Sequence, residues 1–174
     1  ATPDAVFSQA MCRVWNDWSM ETYGGNRHRM LPAAAIAPND LEGAIAEVKR
    51  VAKMGHRCLT LPNRPVWGNG DGSELNYNMP HYDDLWNAIQ EADLPITLHI
   101  STGKDPRGAR GNGGAVINYA VHSLSQSIEP VANFCSSGVL EKFPKLRIAT
   151  IEAGIGWVPW ALTAMDEAYH KHHM

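Results

Sequence analysis

Several whole classes of protein are excluded by what this chain has little of. Its three cysteines, Cys12, Cys58 and Cys135, are odd in number, and no C-x-x-C occurs, so neither a disulfide framework nor a zinc ribbon is encoded. Buried free thiols in a reducing compartment account for them, and the expected location is the cytoplasm. No apolar run approaches the roughly 18 residues that a spanning helix needs, and no basic-then-apolar leader opens the sequence. Fifteen Lys+Arg stand against 18 Asp+Glu, a net charge of -3. Nothing electrostatic therefore points to nucleic acid or an acidic membrane as partner. Neither G-x-G-x-x-G nor G-x-x-x-x-G-K-[ST] follows any predicted strand, which removes the common nucleotide cradles.

What is present is an alternation of two periodicities. Ala5 to Tyr23 reads as a helix closed by Gly24-Gly25, and Met30 to Ala37 as a short buried strand bounded by Pro38. Asn39 reads as the N-cap of the next helix, with Glu42 completing a capping box and Gly55 stopping the run. Strands follow at Arg57 to Leu61, Ile96 to Ile100 and Leu146 to Glu152. Helices are expected from Asp83, over about Ala115 to Phe134, from Gly138 to Phe143 and over about Val158 to His170. Short apolar strands alternating with helices predict an α/β fold with a parallel sheet, either an open doubly wound sheet or part of a (β/α)8 barrel. The longest irregular segments, Asn63 to Pro80 and Ser101 to Gly114, both follow strands. Parallel α/β proteins place their sites on such loops.

Two strand ends carry candidate chemistry. Period-two alternation sets Ile96, Leu98 and Ile100 on one face of their strand and Thr97, His99 and Ser101 on the other. His99 then projects from the C-terminal end, where a metal ligand or an acid/base group belongs; a hydrogen-bonded core histidine is the plainer alternative. Ile148, Thr150 and Glu152 share a face by the same rule, and Glu152 ends its strand just before Gly154. A carboxylate there must be paired, hydrogen-bonded or metal-bound, because burying it bare is costly. Trp67, Lys104, Arg107 and Arg110 lie on the two long loops, available to an aromatic or carboxylated small-molecule substrate.

Several segments in order resemble the family-2 amidohydrolases, the group that includes aminocarboxymuconate-semialdehyde decarboxylase-like enzymes. They are Tyr82-Asp83-Asp84-Leu85-Trp86, Leu94-Pro95-Ile96-Thr97-Leu98-His99, Phe143-Pro144-Lys145-Leu146-Arg147 and Glu152-Ala153-Gly154-Ile155-Gly156-Trp157-Val158-Pro159, followed by Met165-Asp166-Glu167-Ala168-Tyr169. The resemblance implies a (β/α)8 barrel with a divalent metal, often zinc, at the strand C-termini, and hydrolase or decarboxylase activity. It implies that His99 is the metal ligand at the end of the fifth strand. Glu152 falls at the end of the sixth, where many members carry a catalytic histidine. The family's His-x-His pair has no counterpart in a strand, since only His170/His172 has that spacing, and the eighth-strand aspartate is missing too. The expectation is a single partial barrel domain over residues 1–174, holding about the third to sixth strands. Two readings of its function follow. One is a metal-dependent hydrolase or decarboxylase with Glu152 as catalytic group. The other is a non-catalytic half-barrel that self-associates through its two open sheet edges.

Overall fold

The computed structural model describes residues 2–65, 75–102 and 108–172. Four strands, β1 (Ala34–Ala35), β2 (Leu59–Pro62), β3 (Ile96–His99) and β4 (Ile148–Ile151), form one sheet in the order β1-β2-β3-β4, every pair parallel. Each strand therefore lies beside the one before it in sequence, joined by helical crossovers. Helices α1 (Ala5–Tyr23), α2 (Leu41–Met54), α3 (Asp83–Glu91), α4 (Gly114–Ile117), α5 (Ser123–Ser136), α6 (Val139–Lys142) and α7 (Val158–His172) complete the described chain.

Alternation decides which sheet face is covered. Leu59 and Leu61 of β2 and Ile96 and Leu98 of β3 are buried, and they join Val48 and Val51 of α2, Leu85, Trp86 and Ile89 of α3, and Phe134 of α5 in one core. Tyr77, Tyr82, Trp86 and Phe134 pack ring on ring within it, with centroids 5.0 to 5.8 Å apart. Among the described residues the opposite face, carrying Ala35, Thr60, Thr97 and His99, has no such helical cover beyond Trp15 of α1 at its side. Sequential parallel strands with helices on one face make the molecule a partial (β/α)8 barrel.

The local signals differ from expectation in instructive places. The N-cap of α2 is Asp40, not Asn39: its Oδ1 accepts from the Gly43 N–H at 3.2 Å, while Asn39 is buried. Gly55 ends α2 as expected, at φ 94°, a conformation that costs glycine little. The helix expected over Ala115 to Phe134 is interrupted by a π-helical stretch, Asn118–His122, between α4 and α5. Cys135 is exposed rather than buried, while Cys12 and Cys58 are half-buried.

The first strand contracts to two residues, and its outer edge is not open. The Ala34 and Ile36 N–H groups donate to Cys58 and Thr60 of the β2 segment, so Ala35 turns its backbone the other way. There the fully buried Asn16 of α1 meets it: the Ala35 N–H donates to Asn16 Oδ1 at 2.6 Å, and Asn16 Nδ2 donates to the Ala35 carbonyl at 2.9 Å. Trp15 Nε1 donates to the Ala33 carbonyl at 3.1 Å beside it. One side-chain amide thus supplies the donor and acceptor that a neighbouring strand would have supplied.

Candidate active site

His99 is the last residue of β3 and aligns with Ile151 of β4 and Pro62 of β2. Its ring faces the uncovered side of the sheet, where a cavity of about 470 Å³ is walled by Trp15, Ala35, Thr60, Thr97, His99 and Ile151. A second cavity of about 650 Å³ shares Ala35 and Thr60 and is lined by Phe7 and Met11 of α1, Pro62 and Thr102. The site is thus an apolar trough across the C-terminal ends of the strands with one imidazole at its rim.

Glu152 reaches that imidazole by a route that alternation alone does not predict. The register sets Ile148 beside Ile96 and Thr150 beside Leu98, on the helix-covered face, so Ile151 and not Thr150 points into the trough. Continued alternation would send Glu152 to the helix side. Instead β4 stops at Ile151, and Glu152 adopts φ 60°, the left-handed region. That conformation costs a non-glycine residue roughly 1–2 kcal/mol, and it swings the carboxylate back across the strand end. Glu152 Oε2 lies 3.0 Å from His99 Nε2, with 70% of the Glu152 side chain and 44% of the His99 side chain exposed. Ser101, two residues beyond His99, has a similar φ of 63°. Left-handed non-glycine residues after both strands mark the kind of backbone strain that clusters at functional sites.

Hydrogen bonding fixes what the imidazole presents. His99 Nδ1 lies 2.6 Å from the Ile100 carbonyl, which can only accept, so Nδ1 carries the proton. Nε2 then offers a lone pair in the neutral ring, and donates to Glu152 only when the ring is charged. Around it, the Thr102 hydroxyl donates to the His99 carbonyl at 2.5 Å and accepts from the Asn63 N–H at 2.9 Å. Gln126 Oε1 accepts from the Ser101 N–H at 2.6 Å, and the Asn63 side chain donates to Gln126 as well. Below, the Tyr77 hydroxyl donates to the Pro62 carbonyl at 2.6 Å. Burial, and secondarily the neighbouring Tyr82, push that phenol well above its ordinary pKa, so it stays a donor.

The other residues singled out from the sequence are placed less tightly. Arg110 is exposed in the turn leading to α4, and Trp67, Lys104 and Arg107 lie outside the described residues. Asn63, Thr102 and Gln126 went unnoticed in the sequence. Asn63 and Thr102 sit just after strand ends, a position that could have flagged them. Gln126 sits on a helix distant in sequence, with no local signal.

As a metal centre the pair is partial. An imidazole whose Nδ1–H is tied to a carbonyl, leaving Nε2 for the metal, is the ordinary arrangement of a ligating histidine, although here Nε2 faces Glu152. A catalytic zinc takes about three protein ligands. Among the described residues no group of three or more His, Cys, Asp and Glu is placed to hold a metal ion. His99 fits one position of such a centre, with Glu152 beside it, and the two do not complete one.

Known proteins of similar sequence and shape give this half-site its context. Gamma-resorcylate decarboxylase from a Rhizobium species is 25% identical over 172 residues, which cover 95% of this chain. The chain spans 51% of that relative's length. The crystal structure of 2,6-dihydroxybenzoate decarboxylase from Rhizobium superposes with a TM-score of 0.77 at 20% identity, over 100% of this chain and 54% of its own. A dihydroxybenzoic acid decarboxylase from Polaromonas, solved with bound manganese and the inhibitor 2-nitroresorcinol, superposes with a TM-score of 0.65 at 24% identity over 84% of this chain and 45% of its own. These likenesses describe the barrel; the family model described as Amidohydrolase matches residues 2–173, nearly the whole length. With parallel strands in sequential order and a histidine and a carboxylate meeting at their C-terminal ends, the chain belongs to amidohydrolase family 2.

Proposed function

We propose that this chain carries part of the active site of a metal-dependent decarboxylase acting on a small aromatic carboxylic acid. The observation that carries the reading is the 3.0 Å approach of Glu152 to His99 at the C-terminal ends of neighbouring parallel strands, the end at which barrel enzymes do their chemistry. Decarboxylase relatives and the apolar trough beside the pair support an aromatic acid as substrate. In this reading His99 is a metal ligand through Nε2, and a complete centre would take further donors. Held there by His99, a divalent ion such as zinc or manganese would supply Lewis-acid chemistry to the substrate. Glu152 relays a proton from water to the ring carbon that loses carbon dioxide. The C–C bond breaks as the carbon–hydrogen bond forms, and the carboxylate is reprotonated from water through its exposed side. Trp67, Arg107 and Arg110 serve as substrate contacts from the loops.

Zinc or manganese binding by equilibrium dialysis, with carbon dioxide release from 2,6-dihydroxybenzoate, tests the assignment. His99→Ala should lower metal affinity by more than the roughly 10–100-fold typical of losing an outer-shell partner. Glu152→Gln should lower turnover with little change in metal content. Metal binding that is the same in wild type and His99→Ala sinks the assignment.

A second reading has its own observation. Ile151 is 40% exposed on the uncovered face, and Phe7, Met11, Val14, Trp15 and Trp18 expose an apolar stripe along α1. Such surface favours self-association into a dimer or higher oligomer, and a half-barrel that only assembles shows no turnover in the same assay.

A further inference from the structure

The Ile100–Ser101 peptide stands between two short hydrogen bonds. Its carbonyl end, Ile100 O, takes the proton of His99 Nδ1 at 2.6 Å. Its amide end, the Ser101 N–H, donates to Gln126 Oε1, also at 2.6 Å. Because a peptide unit is planar and rigid, holding one end sets the direction of the other. Ser101 at φ 63° is not a conformation that serine keeps unaided. Gln126 is itself placed by Asn63, 4% exposed, whose Nδ2 lies 3.2 Å from the Gln126 carbonyl and 3.3 Å from its Oε1. Gln126 rides on α5, directly after the π-helical stretch Asn118–His122. One such bulge rotates every later side chain of a helix relative to an uninterrupted one.

We propose that Gln126 is a positioning residue that acts through the Ile100–Ser101 peptide plane to fix which nitrogen of His99 carries the proton. Two acceptors compete for that proton: the Ile100 carbonyl at Nδ1 and the Glu152 carboxylate at Nε2. The carboxylate is the stronger acceptor in a charge-assisted bond. Left alone it draws the proton to Nε2 and takes away the lone pair that a ligand needs. Gln126 decides the contest by holding the weaker acceptor in line. The inference rests on the reading of His99 as a ligand for its purpose, but not for its test.

The test is a long-range proton–nitrogen NMR correlation on the chain in chelator, at a pH where the His99 ring is neutral, assigned with His99→Asn. Wild type should show Nδ1 protonated and Nε2 bare. Gln126→Met removes the acceptor and should move the proton to Nε2 as the major form. Gln126→Glu still accepts from the Ser101 N–H and should restore the wild-type pattern. Should Gln126→Met not fold, Gln126→Ser, too short to reach Ser101, is read the same way. A protonated Nε2 in wild type, or an unchanged His99 pattern in a folded Met or Ser variant, overturns the proposal. Metal dialysis on the same samples separates the two ideas: a tautomer switch without metal binding leaves Gln126 its role and removes the metal reading. With metal binding, Gln126→Met should bind about 10–100-fold more weakly.

Discussion

Glu47 shows how far a single side chain is governed by its neighbours. It is 4% exposed on α2, yet Arg50 Nε and Nη2 donate to it at 2.7 and 2.6 Å and Asn16 Nδ2 at 2.8 Å. Burial by itself pushes the carboxyl pKa up; the hydrogen bonds from Arg50 and Asn16 outweigh it, and the value falls below the ordinary one of 4.5. A depressed carboxyl pKa contributes stability that is present above the unfolded value and lost as pH falls through the folded one. Chemical denaturation followed from neutral pH down through about pH 4.5 should show an acid limb that Glu47→Gln flattens, with a loss of about 1–3 kcal/mol at neutral pH. Unchanged pH dependence in the variant removes Glu47 from the account. No periodic pattern marked this residue, because a buried charge on a helix looks in sequence like any solvated one. His99 was legible because Ile96 and Leu98 fixed the phase of its strand. Glu152 was legible as a strand-end carboxylate, but its path to His99 was not, since left-handed φ at a glutamate leaves no trace in composition.

At the scale of elements, the four strands and most of the helices could be read from periodicity and from glycine and proline punctuation. Strand lengths could not, because length depends on what lies alongside. Pairing with β2 holds only one side of β1, and the Asn16 amide, rather than another strand, takes the other. The interruption at Asn118–His122 was equally hidden, since a π turn changes hydrogen-bond partners without changing residue type. Asn16→Leu tests the edge directly. It keeps the volume but strands the Ala35 N–H, its carbonyl and one partner of Glu47. The expected cost is at least about 3 kcal/mol, from 1–3 kcal/mol for each of the three groups left unpaired. A denaturation midpoint that stays where it is refutes the idea that this amide replaces a strand.

The whole molecule is half of a closed architecture, and its surface follows from that. Sequence alternation showed the helix-covered face well, because both β2 and β3 bury every second residue there. It could not show that one sheet edge is sealed while the other, at β4, has no strand beyond it among the described residues. Association should therefore use β4 and the uncovered face, not β1. Light scattering on purified chain at micromolar concentration should report a dimer or larger species, and a monodisperse monomer contradicts the expectation. The sealed edge also bears on how the molecule comes into being. Each strand pairs with its predecessor in the chain, and the first is blocked on its far side. Among the described residues the sheet is thus like a polymer with one capped terminus and a single end open to addition. On a ribosome, β2, β3 and β4 each emerge after a strand that they pair with. From β1 to β4 the loop to be closed between neighbouring strands never exceeds one helical crossover, which keeps the entropy of each pairing step low.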